Sequence, residues 1–474
     1  MLNITDHKSI EKVVRFFEEF SAIPHGSGNT SMIADYLVDF AKKRNLDYTR
    51  DAADNVVIRK GATFGLEDRP AIIFQGHLDM VAEKKPGSDI DMEKDGLKLY
   101  RDGDFLRAEN TTLGGDDGVA LAYALAVLDS DDIAHPDFEA VFTSDEEIGL
   151  LGAVAIDPAA ITGRLLINID SDEEGVFTVG CAGGMRSDVV LPVRRTEPSY
   201  ESYRLKASGF KGGHSGVEID KGRVNANKAL VEIISRIGEI SIVDIRGGNA
   251  DNAIPRECEC IFSADADPTE LIHRLAEGVK AKYSDIEPDI SFTLEKVQSD
   301  AMCVCCEDSM RLISLLEKLP SGIIAMSSDV EGLVETSLNM GILKLGTDKA
   351  EVSFSVRSAK GSEKAKLGER LEAIAREHGA DYSTRGEYPA WEYKKDSHLR
   401  DVMKKVYEDM YEKSPEIVII HAGLECGIFS EKLEGIDCVS IGPNNYDIHT
   451  TEERLSLSSL ERVWQFLLRV LKEI

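Results

Sequence analysis

The chain is short of positive charge. Against 85 Asp and Glu it sets only 55 Lys and Arg, a formal net charge of −30 over 474 residues. Such a surface repels phosphate backbones and anionic bilayers, which argues against nucleic acid or membrane as partners. No apolar run approaches the roughly 20 residues of a membrane span. The N-terminus, Met1-Leu2-Asn3-Ile4-Thr5-Asp6, lacks the charged-then-apolar order of a secretory signal. Low-complexity tracts are missing too. The eight cysteines include the pair Cys258 and Cys260 and the cluster Cys303, Cys305 and Cys306. In an unsignalled chain these are expected to be reduced thiols, and the cytoplasm is the expected compartment. A structural zinc site in the 303–306 cluster would need a second cysteine or histidine cluster of matching spacing, and the sequence offers none.

What is present is the composition of a globular protein long enough for two domains, at 42% hydrophobic and 30% charged residues. The first 180 residues alternate strand and helix signals. Short apolar runs at 71–75, 138–143 and 165–169 fit buried strands, and the Ala/Leu-rich stretch 119–128 follows a glycine turn and fits a helix. After about residue 184 the order becomes strand, helix, strand, strand, helix, strand over 203–294, the split βαβ arrangement. A related succession is expected to follow, with helices at 309–319 and 362–378 and strands near 336–344, 351–357 and 380–384. From Tyr388 the α/β signals return, with a helix at 397–411, strands near 416–420 and 438–441, and a last helix at 456–474. The expected class is therefore α/β: a discontinuous catalytic domain, 1–183 and 389–474, holding an inserted lid domain, 184–388, of doubled split βαβ units.

Five segments carry metal-ligand chemistry. They are Gly76-His77-Leu78-Asp79, Gly114-Gly115-Asp116-Asp117-Gly118, Ser144-Asp145-Glu146-Glu147, Asn168-Ile169-Asp170 and Asp447-Ile448-His449. Each falls where a strand stops or a helix begins, the end of an open α/β sheet at which sites collect. His77 and Asp79 point the same way from a strand end, a ligand and a carboxylate to orient it. Asp116 or Asp117 could bridge two cations, although Asp is also an ordinary helix N-cap. Of the adjacent Glu146 and Glu147, one can bind metal while its neighbour serves as general base; alone, such a run is usually solvated surface. His449 lies far along the chain from Asp170 and joins the site only if the outer segments form one domain. Two divalent ions about 3.5–4 Å apart need such shared and flanking N/O donors.

The inserted region adds His214, in Lys211-Gly212-Gly213-His214-Ser215-Gly216, where glycines permit close backbone approach to a ligand. A histidine off the metal can donate to a developing oxyanion. Arg357, at a strand end, can hold a carboxylate in a fork, although exposed strand-end arginines are common.

Together with Phe20-Ser21-Ala22-Ile23-Pro24-His25-Gly26-Ser27-Gly28, Asn252-Ala253-Ile254-Pro255-Arg256-Glu257 and His421-Ala422-Gly423-Leu424-Glu425-Cys426-Gly427, these segments resemble the zinc-dependent dipeptidase and deacylase family of carnosinases and aminoacylases. The subgroup resembled is the aminoacyl-histidine (Xaa-His, β-alanyl-histidine) dipeptidases, and the likeness runs along nearly the whole chain. The resemblance implies two Zn²⁺ per chain, with Mn²⁺ or Co²⁺ as substitutes. It assigns His77 and Asp170 to one ion, Glu147 and His449 to the other, and Asp116 to both. It makes Asp79 the orienter of His77, Glu146 the base, and the Asp116–Asp117 peptide cis. It also implies substrate-binding roles for His214, Asn252, Arg357 and His421.

Asp rather than Glu at position 170 is, by the same resemblance, the mark of members that read a free amino terminus. The reading is a dipeptidase acting on unblocked dipeptides, Xaa-His among them, with a self-contained site whether or not the chain forms a homodimer. The alternatives are an N-acyl-amino-acid deacylase or tripeptidase of the same family, and a catalytically silent metal- or peptide-binding relative. A phosphate-ester hydrolase is disfavoured by the lid motifs and the single arginine.

Overall fold

In the computed structural model of the protein, which describes residues 2, 4–299, 301–328, 330 and 332–474, the chain divides into two compact units. The first comprises Met1–Cys181, Tyr393–Ile419 and Leu424–Ile474; the second comprises Ala182–Glu392 and Ile420–Gly423.

The first unit is built on an eight-stranded sheet. Its strands run in the order Asp47–Arg50, Val56–Lys60, Phe138–Thr143, Ile72–His77, Leu165–Asn168, Asp437–Ser440, Val176–Cys181 and Glu416–Ile420. The middle four are parallel to one another, and every residue in them is buried. Strands buried on both faces read as continuous apolar runs, which is why they were legible in the sequence. Their parallel arrangement brings the ends of three motif-bearing strands to one edge of the sheet.

The helix Gly115–Leu128 is buried along its whole length except at Asp116. Its Ala/Leu/Val composition is apolar all round, as a central helix requires. It packs on the helix Glu11–Ser21 and on the strand Ile72–His77. Tyr123 stacks on Trp464 at 5.4 Å and donates its hydroxyl to the Leu460 carbonyl, at 2.7 Å, tying it to the last helix, Leu457–Glu473.

The second unit holds an antiparallel sheet in the order Ser291–Val297, Glu201–Ser208, Cys258–Ala264, Ile240–Gly247, Val334–Leu345, Lys349–Ser358, Gly183–Pro192, Asp381–Tyr388. The helices Ala226–Ile234, Thr269–Tyr283, Cys306–Lys318 and Gly361–Glu377 pack on it and on one another. The first split βαβ unit is the one expected over 203–294. The second does not simply follow it. Its opening strand is Gly183–Pro192, before the first unit, and this strand lies between Lys349–Ser358 and Asp381–Tyr388. The 203–294 split βαβ repeat is thus inserted into the other repeat after that opening strand. The opening glycines and mixed polar residues of 183–192 gave no clear strand signal.

The expected division at 388/389 also needs correction. Residues 389–392 and 420–423 group with the second unit, because His421 Nε2 lies 2.7 Å from Ser337 Oγ and Gly423 sits against the Tyr388 ring. At the other boundary, 182–183 leave the first unit with the strand that begins there.

Gly76 shows how tightly the first unit closes around its site. A Cβ there would lie 2.2 Å from Ala120 Cβ and 2.3 Å from Asp117 Oδ2. Overpacking of this kind costs about 1–3 kcal/mol, so Gly76→Ala should lower the urea midpoint of unfolding without changing its slope. An unchanged midpoint would show that the helix can shift freely.

Candidate metal centre

His77 closes its strand with its ring buried. Its Nδ1 lies 2.8 Å from the Asp79 carbonyl oxygen. A carbonyl only accepts, so Nδ1 carries the proton and Nε2 presents a lone pair. That lone pair faces Asp116 Oδ1 at 2.9 Å and Asp170 Oδ1 at 3.8 Å. Facing two carboxylates, it requires either a second ring proton or a cation. The other oxygen of Asp116 lies 3.1 Å from His449 Nε2, which is 2.9 Å from Glu147 Oε1.

Three groups of donor atoms therefore converge: His77, Asp116 and Asp170; Asp116, Glu147 and His449; and His77, Glu146 and Glu147. Asp116 belongs to the first two, one oxygen towards each histidine. Imidazole nitrogens and carboxylate oxygens in such sets suit Zn²⁺ and similar divalent ions. Asp116, not Asp117, is the carboxylate between the histidines, and the peptide joining them is cis. Asp117 turns the other way and is buried, accepting from His77 N at 3.2 Å and Ala120 N at 3.4 Å.

The electrostatics follow from burial. Asp170 is pushed up to about 6 by burial, with its His77 hydrogen bond opposing and Asp116 and Glu147 adding to the rise. Burial also lifts Glu146 well above the usual carboxylate range, opposed by His77 and reinforced by Asp170, Glu425 and Glu147. Hydrogen bonds to Asp116 and Glu147 raise His449 to about 10. Left to itself, the cluster holds protons where a cation would replace them.

Asp79 does more than orient His77. It orients His77 through its main-chain carbonyl, while its carboxylate stands 3.5 Å from Nδ1. That carboxylate also accepts from Glu146 N at 2.9 Å, Glu147 N at 3.3 Å and Ser27 Oγ at 2.7 Å. It fixes the turn that carries both glutamates.

A second arrangement was not anticipated. Gln75, Thr143 and Asn168, all fully buried, meet the buried Glu425. Gln75 Nε2 and Thr143 Oγ1 donate to Glu425 Oε2 at 2.5 and 2.6 Å, and Asn168 Nδ2 donates to Gln75 Oε1 at 2.7 Å. Burial holds Glu425 at about 7 despite these bonds. A polar residue near the end of each apolar strand was the available signal.

In the second unit, His214 Nδ1 accepts from Gly216 N and Val217 N, both at 3.2 Å, so its proton sits on Nε2. Burial, with Arg357 nearby, lowers its pKa, so the ring is a neutral donor. Arg357 and Ser337 are cross-strand partners. The guanidinium donates from Nη1 to Tyr388 Oη at 3.0 Å, and its Nε is buried without a partner. Burial and Arg357 bring His421 down to about 4. Asn252 is exposed and lines, with His214, Arg246 and Arg256, a cavity of about 1010 Å³. The seven candidate residues of the outer segments thus gather in the first unit, and His214, Asn252, Arg357 and His421 all belong to the second.

Residues 73–473 match the description of peptidase family M20/M25/M40. The chain belongs to that family. It is a metal-dependent peptide hydrolase. The cytosol non-specific dipeptidase of Escherichia coli K12 is 35% identical to this peptidase over 97% of its chain and 96% of the relative. The aminoacylhistidine dipeptidase of Vibrio alginolyticus superposes with a TM-score of 0.93 at 35% identity, covering 98% of this chain and 96% of that one. The aminopeptidase PepT of Bacillus cereus ATCC 10987 shares the fold, with a TM-score of 0.58 at 18% identity over 98% of both chains. The expected α/β architecture and family are borne out. Among the described residues, no helix is long and apolar enough to cross a membrane.

Outer partners of metal ligands commonly contribute about 10–100-fold to metal affinity or activity. Asp79→Asn keeps the side chain's size but sets an amide against the two N–H groups of Glu146 and Glu147. Turnover should fall by that factor with little change in melting temperature. Wild-type turnover would remove Asp79 from the site's support.

Proposed function

We propose that this peptidase hydrolyses unblocked dipeptides, those ending in histidine among them, at a centre of two Zn²⁺ ions. The observation that carries the reading is Asp116 set between two histidines, each with its own further carboxylate. His77 and Asp170 would hold one ion, Glu147 and His449 the other, and Asp116 both. When bound, such a pair supplies an activated water and a Lewis acid for the scissile carbonyl. The same donors accept Mn²⁺ or Co²⁺.

Glu146 is the proton carrier. Its backbone is fixed by Asp79, and its burial raises the carboxylate's proton affinity, the direction that suits taking a proton and passing it to the leaving amine. His214 donates from Nε2 to the oxyanion of the tetrahedral intermediate. Arg357 binds the substrate's terminal carboxylate, with Tyr388 steadying one arm of the fork and His421 near it, and Asn252 serves as a further substrate contact. Asp170, one methylene shorter than Glu, leaves room for the substrate ammonium. The names of the two relatives at 35% identity, a non-specific dipeptidase and an aminoacylhistidine dipeptidase, support dipeptides as the substrate class and histidine as one accepted residue. The first name, together with cysteines that are all free, supports a cytoplasmic location.

Zinc-loaded protein offered free and N-acetylated dipeptides, β-Ala-His included, should release amino acids from the free forms only and lose that activity to a chelator. Release from acetylated forms would move the assignment to deacylation. Glu146→Gln should keep both metals and lose roughly 10²–10⁴-fold in turnover; near-normal turnover would place the base elsewhere.

A further inference from the structure

Glu453 is a buried carboxylate with no part in the mechanism above. Its Oε2 accepts from Leu113 N at 2.7 Å and Gly114 N at 3.0 Å. Its Oε1 accepts from Gly115 N at 2.9 Å and Asn445 Nδ2 at 3.0 Å, with Asp116 N further off at 3.5 Å. Consecutive main-chain N–H groups converging on one anion form a nest, and the partial charges at a helix start add to it. The nest leads directly into Asp116.

The other end of this contact is as telling. Asn445 pairs with Leu455 and Tyr446 with Arg454, so 445–455 is a hairpin. His449 lies in its loop and Glu453 near its base, the Glu453 N–H donating to the Thr450 carbonyl at 3.2 Å. One short segment therefore offers a histidine to one oxygen of Asp116 and grips the main chain just before Asp116. Asn445 closes the gap from the side, its Nδ2 only 2.7 Å from where a Cβ on Gly115 would stand. A plain helix cap would accept one or two amides from its own chain neighbours. Glu453 reaches across more than 330 residues to do so.

We propose that Glu453 is a positioning residue that sets the spacing of Asp116 and His449, and so the affinity of the metal position those two share with Glu147. The inference rests on the two-metal reading. It assigns Glu453 a larger effect on one ion of the pair: Asp116 serves both, but the hairpin carries His449, whereas His77 and Asp170 are held by their own strand ends.

The test is calorimetric titration of Zn²⁺ into chelator-stripped full-length protein, wild type beside Glu453→Gln. The substitution keeps the shape but turns an amide N–H₂ towards main-chain donors. Wild type should take up two equivalents. The variant should bind one with at most a small loss and the other about tenfold or more weakly. Two equivalents at wild-type affinity, or an equal weakening of both, would overturn the inference; the second result would mark a general structural role. A wild type that binds fewer than two equivalents would overturn the two-metal reading itself and the inference with it. Should the variant not fold, hydrogen exchange on the metal-free wild type decides the matter. The amides of 113–115 should be strongly protected, and exchange at unstructured rates would show that Glu453 does not hold them.

Discussion

The structure turns on a concentration of acid that water does not shield. Asp79, Asp116, Asp117, Glu146, Glu147, Asp170, Glu425 and Glu453 lie together around two imidazoles at one edge of a buried parallel sheet, and unpaired charges in such a place are costly. The chain meets the cost in distinct ways. Asp79, Asp117 and Glu453 are given main-chain N–H groups. Glu425 is given the side chains of Gln75 and Thr143. What remains is Asp116, Glu146, Glu147 and Asp170, which among the described residues group with His77 and His449. The division separates carboxylates that build the site from those left open to do chemistry.

The fold supplies the means. Parallel strands bring successive carboxyl ends side by side, and a helix apolar on all sides seals the space beneath them. The second unit carries chemistry of the other kind: a cation in Arg357 and two histidines that burial keeps neutral. Donors suited to a substrate's anionic groups are thus kept in a separate unit from the acceptors suited to cations.

Much of this was legible in the sequence because the buried strands are continuous apolar runs and the ligands stand at their ends. Strand 138–143 was read to the residue, and the motif residues of the outer segments meet as a single cluster. What escaped were features set by pairing rather than by local pattern. The strand Gly183–Pro192 opens on two glycines and has no strong apolar period, and its pairing with Lys349–Ser358 on one side and Asp381–Tyr388 on the other makes it a strand. The work of Glu425 and Glu453 was equally hidden, because each side chain's partners are distant in sequence. Asp79 reads as an orienter of His77, but the part played by its main-chain carbonyl and its hold on the turn of Glu146 and Glu147 could not be read from residue type alone.

The strand Asp437–Ser440 lies inside the first sheet, between Leu165–Asn168 and Val176–Cys181, which bears on how the protein is made. A ribosome delivers this strand, and then His449, only near the end of translation. The nested unit emerges earlier and, apart from residues 420–423, has all its strands and helices in hand while the first sheet is still open in its middle. The growing chain therefore carries the acidic half of the site through most of its synthesis without the histidine that completes it. On the two-metal reading, the donor set stays incomplete until the last part of the chain is made.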